Sequence, residues 1–368
     1  MNAPARAPDS VLVVVTRRIG DVLLATPLIR SIKRAWPDTA VDVIVFSGTE
    51  GVLTANPDLR RVITVPARPG KLRHLRFLLG LWRRYDIALS LLTVDRPSLY
   101  AFIAGRRSIG LQLAKGKGEV RRRLLDQWVP FDNLNIHTVP MHLALADAVG
   151  IPRNGDVVVS WSTEDEKQAG ALLGTDNPRP LAVLHLFPKF NYKKWHREGW
   201  LALARWLDAR GYRLALTGSN DPEELAYVAD IARSLPQGTL NAAGKLTLGA
   251  SACLVSRARL YVGPDTGMTH IAAALGVPTA AIFGPTNPVK WAPWPRGHSP
   301  HANPWRRCGS QRVGNVALIQ GASEACVPCN LEGCDRHIGS YSDCLQNLPT
   351  ATVLGAVAEL LEVEAQPA

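Results

Sequence analysis

The stretch "LYVGPDTGMTHIAAALGVPTAAIFGPTNP", residues 260–288, reads as strand, helix and strand. One apolar run ends at Val262, "GPDTG" turns the chain, a helical pattern starts near Thr266 or Gly267, and a second apolar run ends at Phe283. Two buried strands joined by a helix form a parallel unit, because parallel neighbours need a long crossover. The turn carries chemistry as well. Gly267 lets a ligand approach the backbone, and the N–H groups freed at a helix start form an anion site. Thr266 adds a hydroxyl donor, although Asp265 or Thr266 also suits an ordinary helix cap. His270 lies one turn on, at the Thr266 face, and points back toward that anion site. Asp265 can accept hydrogen bonds from ribose hydroxyls while Gly267 and His270 meet phosphate.

The same alternation extends to both sides. Strands are expected at 181–187, 212–218, 259–262 and 279–283, with helices at 197–210, 222–234 and 267–275. "PKFNYKKWHREGW" (188–200) places Lys189, Lys193 and Lys194 after the first of these strands, where one of them can neutralise a diphosphate. In the first half, strands are expected at 11–15, 41–46, 61–65 and 86–92, with helices near 22–35, 71–84, 97–104 and 138–149. The turn-rich segment 150–180, with one short helix, suits an interdomain connection, and 352–363 is a final amphipathic helix. The expected fold class is therefore α/β: two Rossmann-like β/α/β domains, 1–160 and 161–368, facing a central cleft, with ligands outside the carboxyl ends of the strands.

"VLVVVTRRIGDVLLATPLIRSI" from Val11 has the form of a strand, turn and helix but lacks G-x-G-x-x-G. No such fingerprint follows any expected strand, which disfavours a nicotinamide dehydrogenase. The turn holds Arg17, Arg18, Gly20 and Asp21 instead. A carboxylate near a helix start and beside two arginines is expected to stay ionised. Pro27 predicts a kink, or a fresh helix start at Thr26-Pro27, that leaves the Asp21 turn loose.

Charge is unevenly spread. Of 42 Lys+Arg and 31 Asp+Glu, residues 1–150 hold 22 and 12, which is +10 of the net +11. Such a half meets something anionic: nucleic acid, an acidic substrate or a membrane surface. No apolar run approaches the roughly 18 residues of a membrane span, and "MNAPARAPDS" lacks the regions of a signal peptide, so the expected location is the cytoplasm.

With both motifs in view, the chain resembles glycosyltransferase family nine, the ADP-heptose lipopolysaccharide heptosyltransferases and relatives. "RRIGDVLLATPLIRSIKRAWP" and "GPDTGMTHIAAALGVPTAAIFGPTNP" carry the likeness, with "NAAGKLTLGASACLVSRARLYVG" (241–263) before the second motif. The resemblance runs from about Val11 to Pro288. It implies a GT-B fold with the acceptor on the N-terminal domain and an ADP-heptose-like nucleotide sugar on the C-terminal one. It also implies inverting transfer without a catalytic cofactor. Asp21 matches the family's general base, with Arg17, Arg18 and Gly20 on the acceptor side. Asp265, Thr266, Gly267 and His270 match the donor grip, and Lys193 the lysine that meets the donor phosphates. Leu246 offers backbone to the adenine, and Glu223 or Glu224, the latter preferred, holds ribose. The implied acceptor is an anionic glycolipid at the inner leaflet, with peripheral membrane contact and no nucleic acid. The likeness departs at Pro188 and Lys189, where heptosyltransferases carry hydroxyl residues. That departure keeps another nucleotide sugar, or another surface polysaccharide acceptor, as an alternative.

"CVPCNLEGCDRHIGSYSDC" spaces Cys326, Cys329, Cys334 and Cys344 by two, four and nine residues within a Cys-rich loop, 308–344. C-x2-C with two further cysteines has the ligands of a structural zinc site, and an iron–sulfur cluster takes the same set. Cys308 and His337 are spare candidates. A zinc-bearing nucleic-acid binder is the non-enzyme alternative, against which stands the absence of a recognised nucleic-acid module.

Overall fold

A computed structural model describes residues 7–114, 119–174, 177–321 and 326–365. The start of the basic run "KGKGEVRRR", residues 115–118, lies outside the described residues. The chain divides into two compact units. The first ends at Ser160 and also takes Gly297–Asn303; the second holds Trp161–Arg296 and resumes at Pro304.

The first unit is built on a six-stranded sheet: β1 (Ser10–Val14), β2 (Ala40–Phe46), β3 (Arg61–Val65), β4 (Tyr85–Ser90), β5 (Gly105–Gln112) and β6 (Gln127–Pro130). Its order is β3-β2-β1-β4-β5-β6, and every pairing is parallel. Strands of a parallel sheet are covered on both faces, so they read as continuous apolar runs. Val11 to Val14 accordingly have almost no exposure. Leu12, Val14, Ile44, Ala88 and Tyr100 share one core cluster.

The second unit has β7 (Leu181–His185), β8 (Arg213–Thr217), β9 (Leu240–Asn241), β10 (Leu260–Pro264), β11 (Thr279–Phe283), β12 (Gln311–Val313) and β13 (Val316–Gln320). The order is β12-β13-β11-β10-β7-β8-β9, parallel except for the β12–β13 pair. Its core gathers Leu184, Trp195, Trp200, Leu216, Val262, Ile282 and, from the final helix Thr350–Ala365, Val353 and Val357. Two parallel α/β sheets of this kind are the domains of the GT-B class.

Each sheet has one topological switch point, where connections leave neighbouring strands in opposite directions: β1/β4 in the first and β7/β10 in the second. Ligand sites of open α/β sheets form outside the carboxyl ends at such points. Among the described residues, no helix is long and apolar enough to cross a membrane.

Candidate active site

At the first switch point β1 ends, Val15–Arg18 turn the chain, and a short helix runs Ile19–Leu23. Gly20 and Asp21 are its second and third residues. Asp21 is only 9% exposed, while Arg17 and Arg18 are open to solvent. Arg17 Nε stands 3.5 Å from Asp21 Oδ1. Burial raises the Asp21 pKa, and neither the arginines nor the backbone N–H groups of Arg18 and Asp21 reverse that. The arginines and the helix start were expected to favour the charged form on balance; the direction of the shift is the opposite, although both arginines do pull the pKa down. A solvated guanidinium at this distance is well screened and returns less than desolvation takes away.

The chain beyond Asp21 restarts rather than kinks. A new helix, Thr26–Ala35, begins with Pro27 in its first turn, where a missing N–H costs nothing. The break is firmly held, which corrects the expected loose turn. Thr26 Oγ1 donates to the Leu23 carbonyl at 2.7 Å and accepts from Val158 N at 2.9 Å. His142 Nδ1 donates to the Leu24 carbonyl at 3.1 Å.

At the second switch point β10 ends at Pro264 and Asp265 follows; the loop after β7 brings Lys193 to it. Lys193 Nζ lies 2.5 Å from Asp265 Oδ2 and 3.4 Å from its carbonyl oxygen. Burial opposes the Asp265 charge, but the Lys193 pair and the Thr286 hydroxyl outweigh it, and the pKa is lowered. His270 is buried too, and burial pushes its pKa down to about 4, so the ring is neutral at neutral pH. Its Nδ1 has no hydrogen-bond partner among the described residues.

The helix Gly267–Leu275 starts at Thr266 with no side-chain cap. Thr266 Oγ1 instead meets Thr269 Oγ1 at 3.3 Å. No side-chain cap among the described residues takes up the first N–H groups of this helix, the arrangement that an anion site requires. Gly267 is the first helical residue, so its smallness serves access rather than an unusual turn.

Along the same edge, β8 leads into Gly218 and Ser219. Ser219 Oγ donates to Glu224 Oε2 at 2.5 Å, and Glu224 Oε1 is buried without a partner among the described residues. Burial raises the Glu224 pKa. A Cβ on Gly218 would come within 2.9 Å of Glu224 Oε1, so a side chain there would crowd the carboxylate. Glu223 is exposed and accepts from Lys194 Nζ at 3.2 Å. Lys194 itself is buried over the Phe187 ring, 3.7 Å from its centroid. The two adjacent lysines and two adjacent glutamates thus separate: Lys193 joins Asp265, Lys194 joins Glu223, and Glu224 joins Ser219. Lys189 is exposed. Leu246 is half-buried in the turn before the helix Leu248–Ser256, and that turn is tied to the β8 end by Gly244 N donating to Gly218 O at 3.1 Å.

Thr286 and Ser219 were missed as site residues. Both stand just after strand ends, and that position was the available signal.

The four nominated cysteines lie on one loop segment, in different surroundings. Among the described residues, no three His, Cys, Asp or Glu side chains form a group that could hold a metal ion. Cys344 is buried, whereas Cys326 and Cys334 are exposed, and Cys334 Sγ accepts from Asp343 N at 3.3 Å. The segment also braces the loops of the site. Ser342 Oγ donates to Tyr192 O at 2.9 Å, Gln346 Nε2 to Lys194 O at 2.7 Å, and Asn330 N to Pro285 O at 2.8 Å.

Residues 78–308 match the family model described as glycosyltransferase family 9 (heptosyltransferase). The chain is 27% identical over 293 residues to lipopolysaccharide heptosyltransferase 3 of Escherichia coli, covering 75% of this chain and 83% of that protein. Its fold is similar to a glycosyl transferase family 9 structure from Veillonella parvula, with TM-score 0.76, 19% identity, and 96% and 97% of the two chains covered. It is also similar to the E. coli ADP-heptose lps heptosyltransferase II structure, with TM-score 0.73, 21% identity, and 97% and 100% covered.

Proposed function

The chain belongs to glycosyltransferase family 9 and is an enzyme of glycosyl transfer; on that premise we propose that it moves a heptose from ADP-heptose to a lipopolysaccharide core acceptor with inversion, Asp21 acting as general base. The observation that carries this reading is the buried Asp21, whose raised pKa makes it a better proton acceptor than an ordinary aspartate. An acceptor hydroxyl oxygen bonds to the anomeric carbon and its proton passes to Asp21. The bond from that carbon to the diphosphate breaks, and the electron pair leaves on ADP. Lys193, the open helix start at Thr266-Gly267 and neutral His270 stabilise the charge that develops on the leaving group. Asp265 accepts hydrogen bonds from hydroxyls of the sugar nucleotide, Glu224 Oε1 from ribose, and the backbone at Leu246 lies against adenine. Arg17 and Arg18 meet anionic groups of the acceptor, and Gly20 leaves room for it.

This reading displaces the zinc-bearing nucleic-acid binder and puts the enzyme at the cytoplasmic face of the membrane that carries its acceptor. Pro188 and Lys189 support a second reading, in which the fold serves a different nucleotide sugar or surface polysaccharide. The deciding experiment is a transfer assay with ADP-heptose, ADP-mannose and UDP-sugars against truncated lipopolysaccharide acceptors, comparing wild type with Asp21→Asn. Transfer from ADP-heptose that disappears in Asp21→Asn supports the first reading. Preference for a UDP-sugar moves the assignment to the second, and an Asp21→Asn protein as fast as wild type removes Asp21 from the chemistry.

A further inference from the structure

From Leu59 to Tyr85 the chain has eight Lys and Arg and no Asp or Glu. This stretch contains the helix Lys71–Leu81 and the Trp82 that follows it. One face of that helix is used inside the first unit: Leu81 is buried, Phe77 and Leu78 pack on the core, and His74 Nε2 is 3.0 Å from the Tyr100 hydroxyl. The opposite face is also apolar. Leu72, Leu75, Leu79 and Trp82 are 81%, 55%, 67% and 61% exposed. At 100° per residue they fall on a single stripe. Lys71 borders the stripe on one side, and Arg76 and Arg73 on the other. These three are exposed and make no ion pair among the described residues. Arg60 and Arg61, by contrast, are paired with the buried Asp42.

A soluble surface rarely lines up four large apolar side chains, and an apolar stripe rimmed only by cations excludes a basic or purely polar partner. Leucine and tryptophan amid lysine and arginine is the composition of a helix that lies in a bilayer interface. We propose that the helix Lys71–Leu81 with Trp82 is the element by which this protein docks on an anionic phospholipid surface. Leu72, Leu75, Leu79 and Trp82 enter the acyl boundary, and Lys71, Arg73 and Arg76 lie among the headgroup phosphates. The inference rests on the proposed membrane-borne acceptor for its purpose but not for its test, since vesicle binding needs no sugar transfer.

The experiment is co-sedimentation of the full chain with vesicles of equal parts phosphatidylglycerol and phosphatidylcholine, and with phosphatidylcholine alone. Wild type is expected on the anionic vesicles and to leave them as salt rises. Leu72→Ser with Leu79→Ser should weaken partitioning on the order of tenfold. Arg73→Gln and Arg76→Gln should each weaken it about fivefold. Trp82→Ala should remove a share of the tryptophan quenching by brominated lipid. All these positions are exposed, so circular dichroism should be unchanged, as should transfer to a short, soluble acceptor. Binding that survives the leucine changes overturns the proposal. So does a wild type that ignores vesicles but self-associates in sedimentation velocity through contacts the leucine changes abolish. If vesicles are bound while no nucleotide sugar is used, the docking element stands and the proposed reaction falls.

Discussion

Asp21 and Asp265 both lie beyond the carboxyl end of a switch-point strand, β1 in the first sheet and β10 in the second. Each follows the strand at a switch point, each is buried, and each faces a basic side chain. Their pKa values nevertheless move in opposite directions. Arg17 lies 3.5 Å from Asp21 with 45% of its side chain exposed, whereas Lys193 lies 2.5 Å from Asp265 with 15% exposed and Thr286 adds a hydrogen bond. A nearby opposite charge is therefore not enough. Contact distance and shelter of the partner from water decide which way the pKa of a buried carboxylate moves.

The sharpest way to break this contrast is to remove each charge in turn. Asp21→Asn should lower kcat on the order of 1,000-fold, the usual range for a lost general base. Its thermal stability at neutral pH should not fall, because an amide replaces a carboxylate that burial disfavours. Asp265→Asn should do the reverse: it strands the Lys193 ammonium and should cost about 3 kcal/mol in urea unfolding. The pH dependence of the two must also oppose. The folded state holds the Asp21 proton more tightly than the unfolded chain does. Stability from this group therefore falls as pH rises from the usual carboxylate value, roughly 4, through its raised folded pKa. Asp265 contributes stability above that usual value, lost as pH falls through its lowered one. Unfolding curves of wild type and each variant across acidic pH test both signs.

How much of this was legible in the sequence depends on what each feature is made of. The apolar runs at 11–15, 279–283 and the helix at 267–275 were readable because packing periodicity is written into residue order. β5 was not read as a strand because its "GRRS" start looks like a basic surface turn, and the helix Leu248–Ser256 was hidden by its glycine, alanine and serine. The site residues were nominated through a family motif and strand-end position. The sign of the Asp21 shift was misjudged, since two arginines are visible in a sequence and desolvation is not.

Smaller effects sharpen the comparison. Glu224→Gln should raise KM for the nucleotide sugar about tenfold, as expected for a lost charge-assisted hydrogen bond, with little change in kcat. Arg17→Gln withdraws the partner that partly offsets burial at Asp21. It should shift the acid limb of kcat/KM upward by less than about one pH unit. A limb moving downward would mean that the group titrating there is not Asp21.

Gly297–Asn303 belongs to the first unit although both its flanks belong to the second. His137 N donates to Asn303 Oδ1 at 2.9 Å, and Arg153 Nη1 to Pro300 O at 3.3 Å. The boundary between the units is therefore crossed three times by the chain. The first unit is not a cassette that can be cut at Ser160 and spliced onto another donor-side unit. A chimaera built to exchange acceptor specificity between relatives has to carry these seven residues along, grafted into the middle of the other parent.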